Sequence, residues 1–238
     1  MALENNSFKI YSAGGLFTQH ELTTNVLLKK SIWEQSDGKF ELVLPQSKEL
    51  RHTDRPDIAA YIRNTDLLQV VKADMVLARF DGIELDSGTV VEFMLAKFLG
   101  KPTVILRCDS HRLGSNHMDE PYNLMVKNWP RTVEVHIDSL VKYSSVMQDV
   151  RDTHGRADSY DVRMDHELKT IQKGLHDLAE KVIDGFHRVL KMDSPYPHEQ
   201  RELIYQLSRL SPGSGFEEVL TEEKLAEILE NLKHNRTL

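Results

Sequence analysis

The sequence contains a single cysteine, Cys108, so no internal disulfide can staple the fold, and no second cysteine stands at metal-ligand spacing. Cys108 closes an apolar run, where a buried and inert thiol fits better than a catalytic one. No stretch of about 18 apolar residues occurs, and the opening MALENNSFKI has no basic start followed by an apolar segment. A soluble, cytoplasmic protein is expected. Positive charge is not in excess either. The formal net charge is -7, without the clustered Lys and Arg that wrap nucleic acid, so nucleic acid and membrane are set aside as partners and a small molecule becomes the better ligand class. The eleven histidines are scattered, with no H-E-x-x-H or comparable ligand spacing, and no metal or cofactor is expected. Internal repeats and low-complexity tracts are missing as well, which excludes solenoids and linkers.

The 238 residues that remain to be explained are 40% apolar and 28% charged, ordinary values for a chain with one ample core or one core plus a smaller unit. Short β-rich runs recur at 8–12, 40–44, 75–80, 103–107 and 133–137. Several are continuously apolar, the pattern of parallel strands covered on both faces. Helical spacing fills 18–35, 56–72, 88–100 and 138–150, giving a βαβ series. The reading is an α/β doubly wound five-stranded parallel sheet over residues 1–150, followed by a helical extension over 151–238. In the extension, Leu168, Ile171, Leu175, Leu178, Val182, Phe186 and Val189 recur every three or four residues, the stripe of one long amphipathic helix ended by Pro195 and Pro197. A helix over 199–210, a Ser-Pro-Gly-Ser-Gly turn and a last helix capped by Thr221 complete the chain.

In open parallel sheets ligands bind outside the carboxyl ends of the strands. After the first strand come Tyr11, Ser12, Ala13, Gly14 and Gly15, where two glycines permit a tight turn and a close backbone approach; a plain strand-to-helix turn fits equally. After the third strand, a helix beginning near Gly88 puts Glu92 in its first turns, where the backbone dipole favours an ionised carboxylate. Its neighbours Val91, Phe93, Met94 and Leu95 make an expensive environment for a charge. Periodicity alone fits a solvent-facing glutamate slightly better than a functional one.

Taken together, KIYSAGGLF, NTDLLQVVKADMVLARFDG, DSGTVVEFMLAKFLGKP and EPYNLM resemble the nucleoside 2-deoxyribosyltransferase family in order and spacing, over roughly residues 9–142. The resemblance implies a flavodoxin-like fold that assembles into homo-oligomers with shared active sites. It implies transfer of a 2-deoxyribosyl group between nucleobases, with deoxyribonucleosides and free bases as ligands. By position, Glu92 matches the nucleophile and Asp66 the acid that helps protonate the base. Tyr11 matches the tyrosine that holds the nucleophile, and Asp86 the aspartate that binds sugar hydroxyls. Gln46 resembles a base-contacting glutamine, Gly14 and Phe17 belong to the substrate-binding stretch, and Asn123 and Met125 match residues reaching in from a neighbouring subunit. Plain structural readings stand beside these: a surface helix acid for Asp66, a turn former for Asn123, a core filler for Met125. The chain departs from the family pattern after about residue 150. The runner-up is a nucleotide N-glycosidase, against which Asp86 counts by repelling a 5′-phosphate; a non-catalytic nucleoside sensor would have no use for Glu92.

Overall fold

The computed structural model describes residues 7–47, 56–111, 121–209 and 213–238. The elements run β1 (Phe8–Ala13), α1 (Gln19–Gln35), β2 (Phe40–Val43), α2 (Ile58–Lys72), β3 (Met75–Arg79), α3 (Ser87–Phe98), β4 (Thr103–Arg107), β5 (Thr132–His136), α4 (Ser139–His154), α5 (Tyr160–Val189), α6 (His198–Leu207), α7 (Phe216–Val219) and α8 (Glu222–His234). The five strands form one sheet in the order β2-β1-β3-β4-β5, every pair parallel. This is the flavodoxin-like order, with its switch point between β1 and β3.

Alternation along the strands sorts the core into two layers. Ile10, Leu42, Met75, Leu77, Val104 and Leu106 pack with Leu28 and Ile32 of α1 and with α5. On the other face Tyr11, Ala13 and Val76 pack with Val70 of α2 and Ala96 of α3, while Ala78, Phe80 and Ile105 meet Phe93 of α3. Among the described residues, no helix is long and apolar enough to cross a membrane.

The helices beyond residue 150 are built into this body. Ala179, Val182, Phe186 and Val189 of α5 are fully buried against the sheet. The close approach depends on Gly185, where an added Cβ would lie 3.2 Å from Val135 and 3.3 Å from Val104. The apolar stripe of α5 is therefore divided, with only its first part open: Leu168 and Ile171 are 59% and 54% exposed. On the opposite side Tyr205, Phe216, Leu225, Ile228 and Leu232 cover Leu68 and Val71 of α2 and Leu99. Thr221 caps α8 by accepting from the Lys224 amide. The short α7 has no counterpart in the sequence reading, and Ser211 and Pro212 of the expected turn lie outside the described residues.

Buried polar groups seal the amino edge of the sheet. Asp74, just before β3, accepts from the Lys9 amide at 2.8 Å, Asn235 Nδ2 at 2.9 Å and Thr237 Oγ1 at 3.2 Å, tying the end of the chain to two central strands. Arg131 donates to the carbonyls of Gly100 and Thr237. Lys97 donates to the Lys101, Pro130 and Arg131 carbonyls and to Thr132 Oγ1, and Lys101 to the Ala73 carbonyl at 2.6 Å. Burial pulls both lysines down from 10.5 to about 7, with Arg131 adding to the effect and Asp74 opposing it at Lys101.

A lysine shifted in this way binds fewer protons in the folded than in the unfolded chain above pH 7, so its contribution makes stability rise with pH. Between pH 7 and 8.5 the wild-type Tm should climb more steeply than that of Lys101→Met, as read by calorimetry. Parallel slopes would show that the Lys101 charge carries no burial cost.

Candidate active site

The start of α3 is set by Asp86, whose Oδ2 accepts from the Thr89 amide at 2.7 Å and from Thr89 Oγ1 at 2.8 Å. Glu92 is the sixth residue of α3, half-buried, between exposed Val91 and fully buried Phe93. Across from it, Tyr11 of β1 is fully buried and its hydroxyl donates to Glu92 Oε1 at 2.5 Å. Burial pushes the Tyr11 phenol far above its usual range; the charge and hydrogen bond of Glu92 add to this, and the charge of half-buried Asp66 on α2 adds further. Tyr11 is thus a hydrogen-bond donor at every working pH. A strand and two helices on one side of the sheet bring Tyr11, Asp66 and Glu92 together.

The remaining candidates are placed differently. Gln46 lies in the 3₁₀ turn Pro45–Ser47 after β2, with Oε1 accepting from Asn25 Nδ2 at 2.8 Å and Nε2 donating to the Leu22 carbonyl at 3.0 Å. Both ends of its amide are engaged with α1. Gly14 packs on Arg79, where an added Cβ would lie 3.1 Å from the Arg79 Cβ. Phe17 is 80% exposed, and its amide donates to Glu21 in the capping box that Thr18 and Glu21 build at the start of α1. Asn123 is exposed and accepts from the Met125 amide at 3.0 Å, opening the turn Leu124–Val126. Met125 is 75% exposed, which removes the core-filler reading.

Two features of the carboxyl edge go beyond the sequence reading. Asn25 of α1 is buried and bridges the loops after β1 and β2. The strands β3 and β4 both end in Arg-x-Asp, Arg79-Phe80-Asp81 and Arg107-Cys108-Asp109. That repeat is a legible signal: charges closing two apolar strands need partners. Arg107 donates to the carbonyls of Phe80, Gly82 and His111 and pairs with Asp109 at 2.8 Å, while Asp81 accepts from the Cys108 amide at 2.6 Å and Asp109 from the Gly82 amide. The two loops are thereby laced together. Cys108 is partly buried, and burial, with the charge of Asp81 adding, pushes its thiol up to about 12, where it stays protonated.

The family model described as nucleoside 2-deoxyribosyltransferase matches residues 10–125. Over that segment, just under half of the chain, the sequence is similar to the nucleoside 2-deoxyribosyltransferase family. The segment takes in Tyr11, Asp66, Asp86, Glu92 and every other candidate above, and leaves β5 and α4 to α8 outside the match. Similar solved structures include a conserved protein from Enterococcus faecalis V583 (28% identity, 54% of this chain and 92% of that one, TM-score 0.42). Two others are a 2-deoxyribosyltransferase from Bacillus psychrosaccharolyticus (18%, 55% and 85%, 0.42) and one from Leishmania mexicana (20%, 56% and 90%, 0.41). A search of curated proteins finds no match to the chain.

The Tyr11 hydroxyl holds one carboxylate oxygen of Glu92. A hydrogen bond to a charged group contributes enough that Tyr11→Phe should lower kcat by about 10- to 100-fold while KM changes little. Steady-state kinetics on a deoxyribonucleoside checks this, and a kcat within twofold of wild type would remove Tyr11 from the site.

Proposed function

We propose that this chain transfers the 2-deoxyribosyl group between nucleobases by double displacement, with Glu92 as the nucleophile. The observation that carries the reading is the Tyr11 hydroxyl on Glu92 Oε1, beside Asp66, within the segment matched to the family. The Tyr11 hydroxyl orients the Glu92 carboxylate, which attacks the anomeric carbon. The N-glycosidic bond breaks toward the base, which takes a proton from Asp66 as it leaves, and the sugar remains as an ester on Glu92. An incoming base, giving its proton to Asp66, then attacks the same carbon and releases the carboxylate. Two displacements retain the configuration at the sugar.

Asp86 is exposed beside the start of α3, so its carboxylate can accept from sugar hydroxyls while it caps the helix. The same negative charge disfavours a 5′-phosphate at close range, which supports nucleosides over nucleotides. Apolar side chains left in solvent on α3 and after β4, namely Val91, Phe98, Leu124 and Met125, support a homo-oligomer in which Asn123 and Met125 complete a neighbour's site.

Incubating a deoxyribonucleoside with and without a second base should yield a new nucleoside only when the acceptor is present. Base release without an acceptor would indicate a hydrolase, and no turnover a binding module. Glu92→Ala should abolish transfer and keep the fold, since alanine suits a helix; Asp66→Asn should cost roughly 100-fold, as loss of a general acid does. Light scattering should show an oligomer at assay concentration, and a fully active monomer would exclude shared sites.

A further inference from the structure

The loops after β1, β2 and β3 meet at the switch point of the sheet, and buried Asn25 joins all three. Its Nδ2 donates to the Gly15 carbonyl at 3.2 Å, after β1, and to Gln46 Oε1 at 2.8 Å, after β2; its Oδ1 accepts from Arg79 Nη1 at the end of β3. Gln46 Nε2 in turn donates to the Leu22 carbonyl at 3.0 Å.

The direction of every bond in this chain is dictated by its partners. A guanidinium only donates and a peptide carbonyl only accepts. Arg79 therefore demands the oxygen of Asn25, and the Gly15 carbonyl demands its nitrogen. That nitrogen presents a hydrogen to Gln46, which answers with its oxygen. Independently, the Leu22 carbonyl demands the nitrogen of Gln46. The terminal amides of Asn and Gln can ordinarily turn end for end; here each is pinned from both sides. Turning Gln46 would face its oxygen to the Leu22 carbonyl and its nitrogen to the Asn25 nitrogen.

Gln46 is left with one N–H and one lone pair, in one fixed order. A freely turning glutamine can match a base edge with an amino group beside a ring acceptor, and equally the edge with an oxo group beside a ring N–H. A pinned one matches a single pattern and leaves the other with facing donors or facing acceptors. We propose that Asn25 and Arg79 are positioning residues for base specificity: by locking the Gln46 amide they make the enzyme discriminate 6-amino from 6-oxo purines. This rests on the transferase reading above, with Gln46 as a base contact.

The test compares 2′-deoxyadenosine with 2′-deoxyinosine, by kcat/KM as donors and by Kd from calorimetry. The wild type should favour one of the two by about tenfold or more in both measurements, the size expected when a site built for one hydrogen-bonding pattern meets the other. Asn25→Asp keeps the size and the bond to Arg79 but cannot donate to Gln46, so the ratio should fall to within about threefold, with KM moving more than kcat. Gln46→Ala should give the same collapse. Arg79→Met, which removes the pin on the Asn25 oxygen and leaves the amide held by the Gly15 carbonyl alone, should move the ratio in the same direction and carries the test if Asn25→Asp fails to fold by circular dichroism. A wild type indifferent to the two nucleosides, or a folded Asn25→Asp or Arg79→Met with the wild-type ratio, overturns the proposal while leaving the transferase reading in place. If the wild type binds but does not transfer, that reading falls and the Kd ratio alone decides the lock; if it neither binds nor transfers, both fall.

Discussion

Glu92 is a charge set in an apolar stretch, and the architecture around it answers the cost of keeping a carboxylate there. Asp86 caps the start of α3, and Glu92 follows as the sixth residue of the same helix. Tyr11 supplies a hydroxyl from the centre of the sheet, held rigid by complete burial and by pairing of β1 with strands on both sides. Asp66 brings a second acid from α2. Each group comes from a different element, so the site exists only when β1, α2 and α3 are packed in register.

That packing is secured at the other edge of the sheet. Asp74 ties β1 and β3 to the last residues of the chain, while Lys97, Lys101 and Arg131 satisfy carbonyls in the turns that enter β3, β4 and β5. α5 fills one face through the gap that Gly185 leaves, and α6 to α8 cover the outer side of α2 and α3. The residues beyond the family match thus brace the elements that carry Asp66 and Glu92. At the carboxyl edge, the loops after β3 and β4 are laced by the two Arg-x-Asp pairs.

The five strands and first four helices are legible in the sequence because strands buried on both faces must be continuously apolar, and the intervening helices show their own period. The partner of α5 is not legible. An amphipathic stripe says that one face is covered, without saying by what, and for Val182, Phe186 and Val189 the cover is the sheet. The pairing of Tyr11 with Glu92 spans 81 residues, and no local pattern encodes it; resemblance to a family brought both residues to attention. Asn25 looks like any polar residue on a surface helix, and only the meeting of three loops reveals it as buried. Thr18-x-x-Glu21 and the repeated Arg-x-Asp were readable from spacing, since each places complementary groups a fixed distance apart. Gln46 was legible as a polar residue after a strand, but its two hydrogen bonds to α1 required the folded chain.

The central claim is that Glu92 carries the sugar. It is tested most directly by incubating the wild-type protein with a 2-fluorinated deoxyribonucleoside, in which fluorine destabilises the oxocarbenium-like state that releases the ester. Mass spectrometry of the digested protein should then find the fluorinated sugar on the peptide containing Glu92, with release of one base for each sugar bound. An adduct on a different residue, or base release with no adduct at any time, would contradict the account.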